Sequence, residues 1–324
     1  RSITSGGNGG ALSCSTSVQC LLVESSSFFS CKTSGGYGGA IYFESSNGQS
    51  VLYEVCGYDC YLTYTSSNSR GQFSYIVVKD VISSKNHINY SSITRCGIDN
   101  SYSWYTLRNN NGKICYSSNN ESMNICNARC GIYCYPSIDS NSVTYSLLYS
   151  SIIDNIATDY SSIWLEKTSA KHEIKSCNIL RNTQGFLGTQ GTIYTCGELK
   201  IEDSCILENN ANCIFYQGSS YTITLSNCTV DKTTSYRSFK IQNTVTKSFI
   251  HALNHMSTQN CNAKYDVVGT LTPIVQPSLF SKKQKLYYSC QILFPQPRLR
   301  DVVSLTSILF FNFIHSYTSG YPFY

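Results

Sequence analysis

Apolar and polar residues alternate along this chain in short runs, and the runs come in threes. Over 198–216 the first run is Glu198-Leu199-Lys200-Ile201-Glu202, the second Ser204-Cys205-Ile206-Leu207 and the third Cys213-Ile214-Phe215-Tyr216. Leu199 and Ile201 alternate with charged neighbours, the period-two signature of a strand with one buried face. Asn209, Asn210 and Asn212 fill the turn after the second run, and Gly218-Ser219-Ser220 the turn after the third. Such residues accept left-handed backbone or bond their own turns. The preceding unit repeats the plan with His172-Glu173-Ile174-Lys175, Asn178-Ile179-Leu180 and Thr192-Ile193-Tyr194. The following unit begins it again with Tyr221-Thr222-Ile223-Thr224-Leu225 and Cys228-Thr229-Val230.

The middle run carries a recurring phrase, a bulky apolar residue followed three positions later by Asn or Cys. The copies are Phe28–Cys31, Ile93–Cys96, Met123–Cys126, Ile152–Asn155, Ile179–Asn182 and Ile206–Asn209. From Ile93 onward they are spaced by 30, 29, 27 and 27 residues, and the 65-residue gap after Phe28 leaves room for one degenerate copy. A period in this range means stacked structural repeats. Three strands per period without helical periodicity predict an all-β parallel β-helix, with about three short strands per coil and coils about 4.8 Å apart. Phe28, Ile93, Met123, Ile152, Ile179 and Ile206 then form a core ladder. Cys31, Cys96, Cys126, Asn155, Asn182 and Asn209 form a corner ladder, in which asparagines bond from rung to rung and cysteines act as small hydrophobes.

Gly9-Gly10-Ala11-Leu12 and Gly38-Gly39-Ala40-Ile41 lie 29 residues apart, glycine pairs suited to a tight turn that enters a strand. Together with the Phe28-x-x-Cys31 type of phrase, over roughly 6–245, they resemble the GGA[I/L/V] and FxxN repeats of the polymorphic membrane protein family. They are also similar to right-handed β-helix surface proteins of some protozoa. The resemblance implies a right-handed β-helix on the cell surface or outside the cell, and it brings no catalytic residues. The domain organisation expected is a β-helix over 1–261 and an irregular cap or tail over 262–324. Because the chain opens at Arg1 in a glycine-rich turn, further coils upstream are expected.

The repeat fades after about Cys261, and five of the six prolines lie beyond residue 272, where they disfavour central strands. The apolar segment 302–314 reads as a membrane anchor or as a capping tail. At thirteen residues, with Ser, Thr and Asn among them, it is shorter than the roughly 20 residues that span a bilayer.

Composition adds little to function. Charged residues make up 13% of the 324, and the formal net charge is +5. No block of five basic residues occurs, so nucleic acid is not an expected partner. There are 17 cysteines, an odd number, with clusters at Cys56-x3-Cys60 and Cys126-x3-Cys130-x3-Cys134. Disulfides, buried free thiols and a metal site are all open readings. Asn89, Asn120 and Asn227 head three N-x-S/T sequons, candidate glycosylation sites on a secreted chain.

The enzyme reading needs converging carboxylates. Glu202-Asp203 is an adjacent acidic pair whose members point to opposite strand faces. The polygalacturonase-like signatures are missing, and stacking offers pairs such as Asp154 and Glu208. His251-x3-His255 with Cys261 lacks the glutamate of a metalloprotease motif, and no phosphate-binding glycine loop occurs. No catalytic residue, metal or cofactor is therefore expected. What remains is a surface rich in Tyr, Ser, Thr and Asn, the composition of adaptable contact surfaces. Tyr53, Tyr58, Tyr61 and Tyr64 are expected to cluster in one coil, and Tyr102, Trp104 and Tyr105 mark a candidate binding loop. The function expected is a non-enzymatic surface or secreted adhesin, coat or stalk whose partners are host-cell or matrix glycans and proteins. A carbohydrate-active lyase or hydrolase and a purely structural rod are the alternatives.

Overall fold

A computed structural model describes residues 3–4, 7–63, 69–97, 104–126, 131–159, 162–185 and 190–246. The anchor-or-cap segment 302–314 and the pair His251 and His255 lie outside the described residues, as does the domain boundary expected at 261. Within the described residues the chain is all β, a parallel β-helix of stacked coils. Three long sheets run along it.

Sheet one comprises Leu12–Cys14, Ile41–Glu44, Ser74–Val77, Leu107–Asn110, Ile132–Tyr135, Ile163–Leu165, Ile193–Thr195, Phe215–Gln217 and Ser235–Tyr236. Sheet two comprises Cys20–Glu24, Gln49–Tyr53, Lys85–Asn89, Lys113–Ser117, Tyr145–Leu148, Lys171–Lys175, Glu198–Glu202, Ile223–Ser226 and Phe239–Ile241. Sheet three comprises Ser27–Phe29, Cys56–Tyr58, Ser92–Thr94, Asn120–Ser122, Ser151–Ile153, Asn178–Leu180, Cys205–Leu207 and Thr229–Val230.

The three corners differ in kind. Every passage from sheet two to sheet three takes two residues: Ser25-Ser26, Glu54-Val55, Tyr90-Ser91, Ser118-Asn119, Tyr149-Ser150, Ser176-Cys177, Asp203-Ser204 and Asn227-Cys228. The first of each pair is left-handed, with φ between 45° and 60°. The second points inward and, in several coils, bonds to the coil above. Ser91 Oγ accepts from Val55 N at 3.1 Å, Asn119 Oδ1 from Ser91 N at 2.9 Å, Ser150 Oγ from Asn119 N at 3.0 Å and Ser204 Oγ from Cys177 N at 3.1 Å. The other two corners vary. Sheet one passes to sheet two through Asn111-Gly112 alone in one coil and through residues 136–144 in the next.

The corner after sheet three carries the predicted Asn/Cys ladder. A second left-handed column, Ser30, Asp59, Arg95, Met123, Asp154, Arg181 and Glu208, turns the chain. The next residues, Cys31, Cys60, Cys96, Asn124, Asn155, Asn182 and Asn209, are all buried. Asn155, Asn182 and Asn209 donate Nδ2 to the carbonyls of Glu121, Ile152 and Ile179 at 2.8–2.9 Å. Their Oδ1 atoms accept from the backbone N of Asn124, Asn155 and Asn182 at 3.0–3.1 Å. Where cysteine replaces asparagine, its thiol faces carbonyls instead, as Cys60 Sγ does those of Phe28 and Tyr58 at 3.3 and 3.4 Å.

One expected copy is out of register. The residue that stacks between Ile93 and Ile152 is Glu121, not Met123, and the corner residue that follows is Asn124, not Cys126. Met123 is the left-handed corner residue, with φ 57°. Cys126 belongs to the short strand Ile125–Cys126, paired with Ile156–Ala157. Met is apolar and Glu is charged, so hydrophobic pattern alone selects the wrong one. The degenerate copy is Gly57-Tyr58-Asp59-Cys60, in register with Phe28 and Ile93.

The interior is one continuous cluster of Ile, Leu, Val, Phe and Cys, where each fully buried aliphatic side chain contributes roughly 1.5–3 kcal/mol. The rod is therefore held along its length by apolar stacking, with hydrogen-bonded ladders at two corners.

Candidate functional site

The middle residue of each sheet-one strand points outward, and parallel register stacks these residues in one column. From the second rung it reads Tyr42, Tyr75, Arg108, Tyr133, Trp164, Tyr194, Tyr216 and Tyr236. Tyr42 and Tyr75 stack at 5.6 Å between ring centroids, Trp164 and Tyr194 at 3.7 Å, Tyr194 and Tyr216 at 5.4 Å, and Tyr216 and Tyr236 at 4.6 Å. The interplanar angles are 15–21°. Arg108 fills the one non-aromatic rung from Tyr42 to Tyr236. It is 8% exposed, and its guanidinium lies over Tyr75 at 4.9 Å, Tyr133 at 5.2 Å and Tyr105 at 5.6 Å. A desolvated cation between aromatic rings is stabilised by their quadrupoles.

Polar groups tie down the ring edges. Glu166 Oε2 accepts from Tyr133 Oη at 2.8 Å and from Trp164 Nε1 at 3.2 Å. Tyr194 Oη lies 3.0 Å from Cys196 Sγ. Burial, and then the Glu166 carboxylate, push the Tyr133 phenol well above its ordinary range. Burial does the same to Tyr194, with Cys196 adding to it. These phenols stay protonated at neutral pH. Because the ring faces are spent on one another, the column offers edges and hydroxyls rather than flat platforms for sugar rings.

The predicted binding loop is divided by this arrangement. Tyr102 lies outside the described residues. Trp104 is half-buried and forms an isolated parallel bridge with Arg70, as Arg70 does with Tyr37. Tyr105 is 2% exposed and sits against Tyr133 at 4.3 Å, with φ 64°. Tyr105 is thus a packing residue, and the expectation that it is a surface contact is corrected. Its outward apolar environment comes from the ladder, which the sequence reading did not include. Of the tyrosines expected in one coil, Tyr53, Tyr58 and Tyr61 lie on three successive strands of the same coil, and Tyr64 lies outside the described residues. The signal for the ladder was present as apolar–aromatic–partner triplets such as Ile132-Tyr133-Cys134, Ile163-Trp164-Leu165 and Ile193-Tyr194-Thr195.

The three sequon asparagines are half-buried. Asn120 Nδ2 donates to Ser92 Oγ at 3.2 Å, and Asn227 Nδ2 donates to the Asp203 carboxylate. Asn89 keeps a buried Oδ1 without a partner.

Asp154 and Glu208, the acids proposed to converge, belong to one corner column with Arg181 between them. Arg181 binds Asp154 through Nε at 2.9 Å and Nη2 at 3.0 Å. Among the described residues, no group of three or more His, Cys, Asp and Glu gathers as a metal site. Among the described residues, Cys56 is disulfide-bonded. A shallow open depression lies among the corner loops, lined by Asp80, Val81, Ile82, Ser137, Ile138 and Lys167, with Ile82 and Ile138 exposed.

The core column of sheet three holds a carboxyl group. Glu121 is fully buried, neither carboxylate oxygen has a partner, and burial raises its pKa well above the ordinary value, with Cys126 adding to the shift. Burial without a partner favours its neutral, protonated form.

No known protein family, curated protein or solved structure matches the chain.

Proposed function

We propose that the chain is a non-enzymatic surface or secreted β-helix of adhesin, coat or stalk type, whose contacts with glycans or proteins of a host cell or matrix are made by its corner loops. The carrying observation is the contrast between corners. One corner is closed by two residues in each of eight coils, whereas the sheet-one-to-sheet-two corner ranges from Asn111-Gly112 to residues 136–144. Variation confined to loops on a constant scaffold is how repeat proteins carry recognition. The longer loops also bring exposed Ile82 and Ile138 to one depression, apolar surface that the fold itself does not need.

The test is binding of labelled full-length chain to intact cells and to extracellular matrix, beside a variant with residues 136–144 shortened to an Asn-Gly turn. Saturable binding that falls with the shortened loop supports the reading. Binding unaffected by it moves the contact elsewhere on the rod, and no binding at micromolar concentration leaves the structural rod. That second reading is favoured by the ladder, whose ring faces are consumed internally. In parallel, release of reducing ends or unsaturated uronates from a polysaccharide panel would instead establish the carbohydrate-active enzyme.

A further inference from the structure

We infer that the ring column of sheet one carries oxidising equivalents along the rod and makes Tyr236 the site at which one copy of this chain is joined covalently to another by tyrosine–tyrosine coupling. The inference stands apart from the binding reading and requires no ligand.

Four aromatic rings stand in unbroken contact from Trp164 to Tyr236, at 3.7, 5.4 and 4.6 Å. Indole and phenol are the side chains that lose one electron most readily, and near-parallel stacking favours electron exchange between them. Trp164 is 4% exposed, whereas Tyr236 is 47% exposed. Glu166 receives the indole N–H of Trp164 at 3.2 Å, so a basic group stands ready for the proton released there. A hole formed at a buried ring has neighbours to move to, and the solvent-exposed end of the path is Tyr236. Arg237 lies over the Tyr236 ring at 5.4 Å, and Tyr216 stacks on it, which leaves its exposure to the ring edge. That edge carries the hydroxyl and the ortho carbons that react.

The chemistry requires a diffusible one-electron oxidant. In each of two chains the oxidant takes one electron, Tyr236 gives its phenolic proton to water, and the intermediate rings return to their starting state. The two phenoxyl radicals form one ortho–ortho carbon–carbon bond. The hydrogens on those carbons then shift to the phenol oxygens, which restores both rings. The balance is two phenols to one biphenol, two protons and two electrons.

The molecule contains its own controls. Tyr90 is 42% exposed and Tyr149 48%, so both match Tyr236 in access. Both sit in the left-handed column between sheets two and three, off the ladder. Full-length chain would be illuminated with a tris-bipyridyl ruthenium complex and persulfate, and the covalent dimers mapped by peptide mass spectrometry. Links through Tyr236 are expected to exceed those through Tyr90 or Tyr149 several-fold. Tyr236→Phe should remove most of the dimer. Tyr216→Phe keeps the stacked ring but not the oxidisable phenol, and should lower linkage at Tyr236 while leaving the urea midpoint unchanged. Equal use of Tyr90, Tyr149 and Tyr236, indifference to Tyr216→Phe, or coupling confined to Tyr216 and Tyr236 of one chain would each overturn the inference.

Discussion

The ring of Phe73 occupies the space that Gly57 leaves open in the core ladder. A Cβ on Gly57 would stand 2.6 Å from Phe73 Cδ2 and 3.0 Å from Ile93 Cδ1, and the same ring meets Phe28 edge-on at 5.9 Å. The volume missing from the one glycine rung is therefore supplied by Phe73, the residue just before the strand Ser74–Val77. Gly57→Ile restores the ladder's usual residue and should nevertheless destabilise the rod, by about 1–3 kcal/mol or more through overpacking. Phe73→Ala should cost about 3–5 kcal/mol through the cavity it leaves. The double variant should recover part of the combined loss, since each change fills or empties the same space. Urea unfolding of the four proteins measures the cycle, and strictly additive penalties would show that the two residues do not share that space.

Glu121 takes an isoleucine's place between Ile93 and Ile152, with Tyr116, Tyr145, Cys126 and Cys134 as the ionisable groups around it. Its pKa is raised in the folded state. Its proton is held by the rod at pH values where the unfolded chain, with a pKa of about 4.3, has lost it. The associated stability is complete below that value and is lost as pH rises towards the folded pKa, by up to about 1.4 kcal/mol per pH unit. Glu121→Gln and Glu121→Ile should both be more stable than the natural chain at pH 8, by a margin that narrows towards pH 4. A margin independent of pH would mean that the carboxyl does not ionise on unfolding.

His172 works in the opposite direction. Burial lowers its pKa to about 3, and its Nδ1 is 2.9 Å from Thr195 Oγ1. The ring is neutral in the rod, while the unfolded chain takes up a proton below about pH 6.5. Stability is complete above that value and falls as pH drops through the interval down to about 3. His87 adds to the same loss, since burial, with Lys85 and Lys113, lowers it to about 4. His172→Leu, which matches Leu199 in the next rung, should shallow the fall in unfolding midpoint between pH 6.5 and 4 without abolishing it. An unchanged slope would count against a neutral buried imidazole.

The architecture was legible because two signals ran in register. The Ile–x–x–Asn phrase at Ile152, Ile179 and Ile206 fixes a rung length, and the alternation at Leu199 and Ile201 fixes which side faces inward. Glu121 was not legible, since a charged residue in a core column contradicts the pattern that identifies the column. Gly57 was hidden for a related reason, as its volume comes from Phe73, sixteen positions later. The ladder from Tyr42 to Tyr236 escaped because unequal coil lengths scatter its members at irregular intervals, and only strand pairing aligns them. Trp104 and Tyr105 drew attention as adjacent aromatics, but adjacency says nothing of burial. Tyr105 is held inside by Tyr133, from the next rung, and by Arg108, three positions later on the strand that follows it.

The corner ladder separates the two side chains it uses. The Asn182 side chain makes four hydrogen bonds: Nδ2 donates to Ile152 O at 2.9 Å and Asn209 Oδ1 at 3.0 Å, while Oδ1 accepts from Asn155 N at 3.1 Å and Asn155 Nδ2 at 3.0 Å. Asn182→Ala leaves the buried Asn155 N–H without its acceptor, and each such unmade bond costs about 1–3 kcal/mol. Asn182→Cys should cost less. Cys31, Cys60 and Cys96 already occupy this column, buried and turned towards neighbouring carbonyls, so the thiol fills the corner and supplies a weak donor to Ile152 O. It still gives Asn155 only a poor acceptor, which places the cysteine variant between natural chain and alanine variant. Amide exchange at Asn155 gives the local readout, fastest in Asn182→Ala, slower in Asn182→Cys and slowest in the natural chain. Equal exchange in the two variants would show that the cysteines in this column act by volume alone.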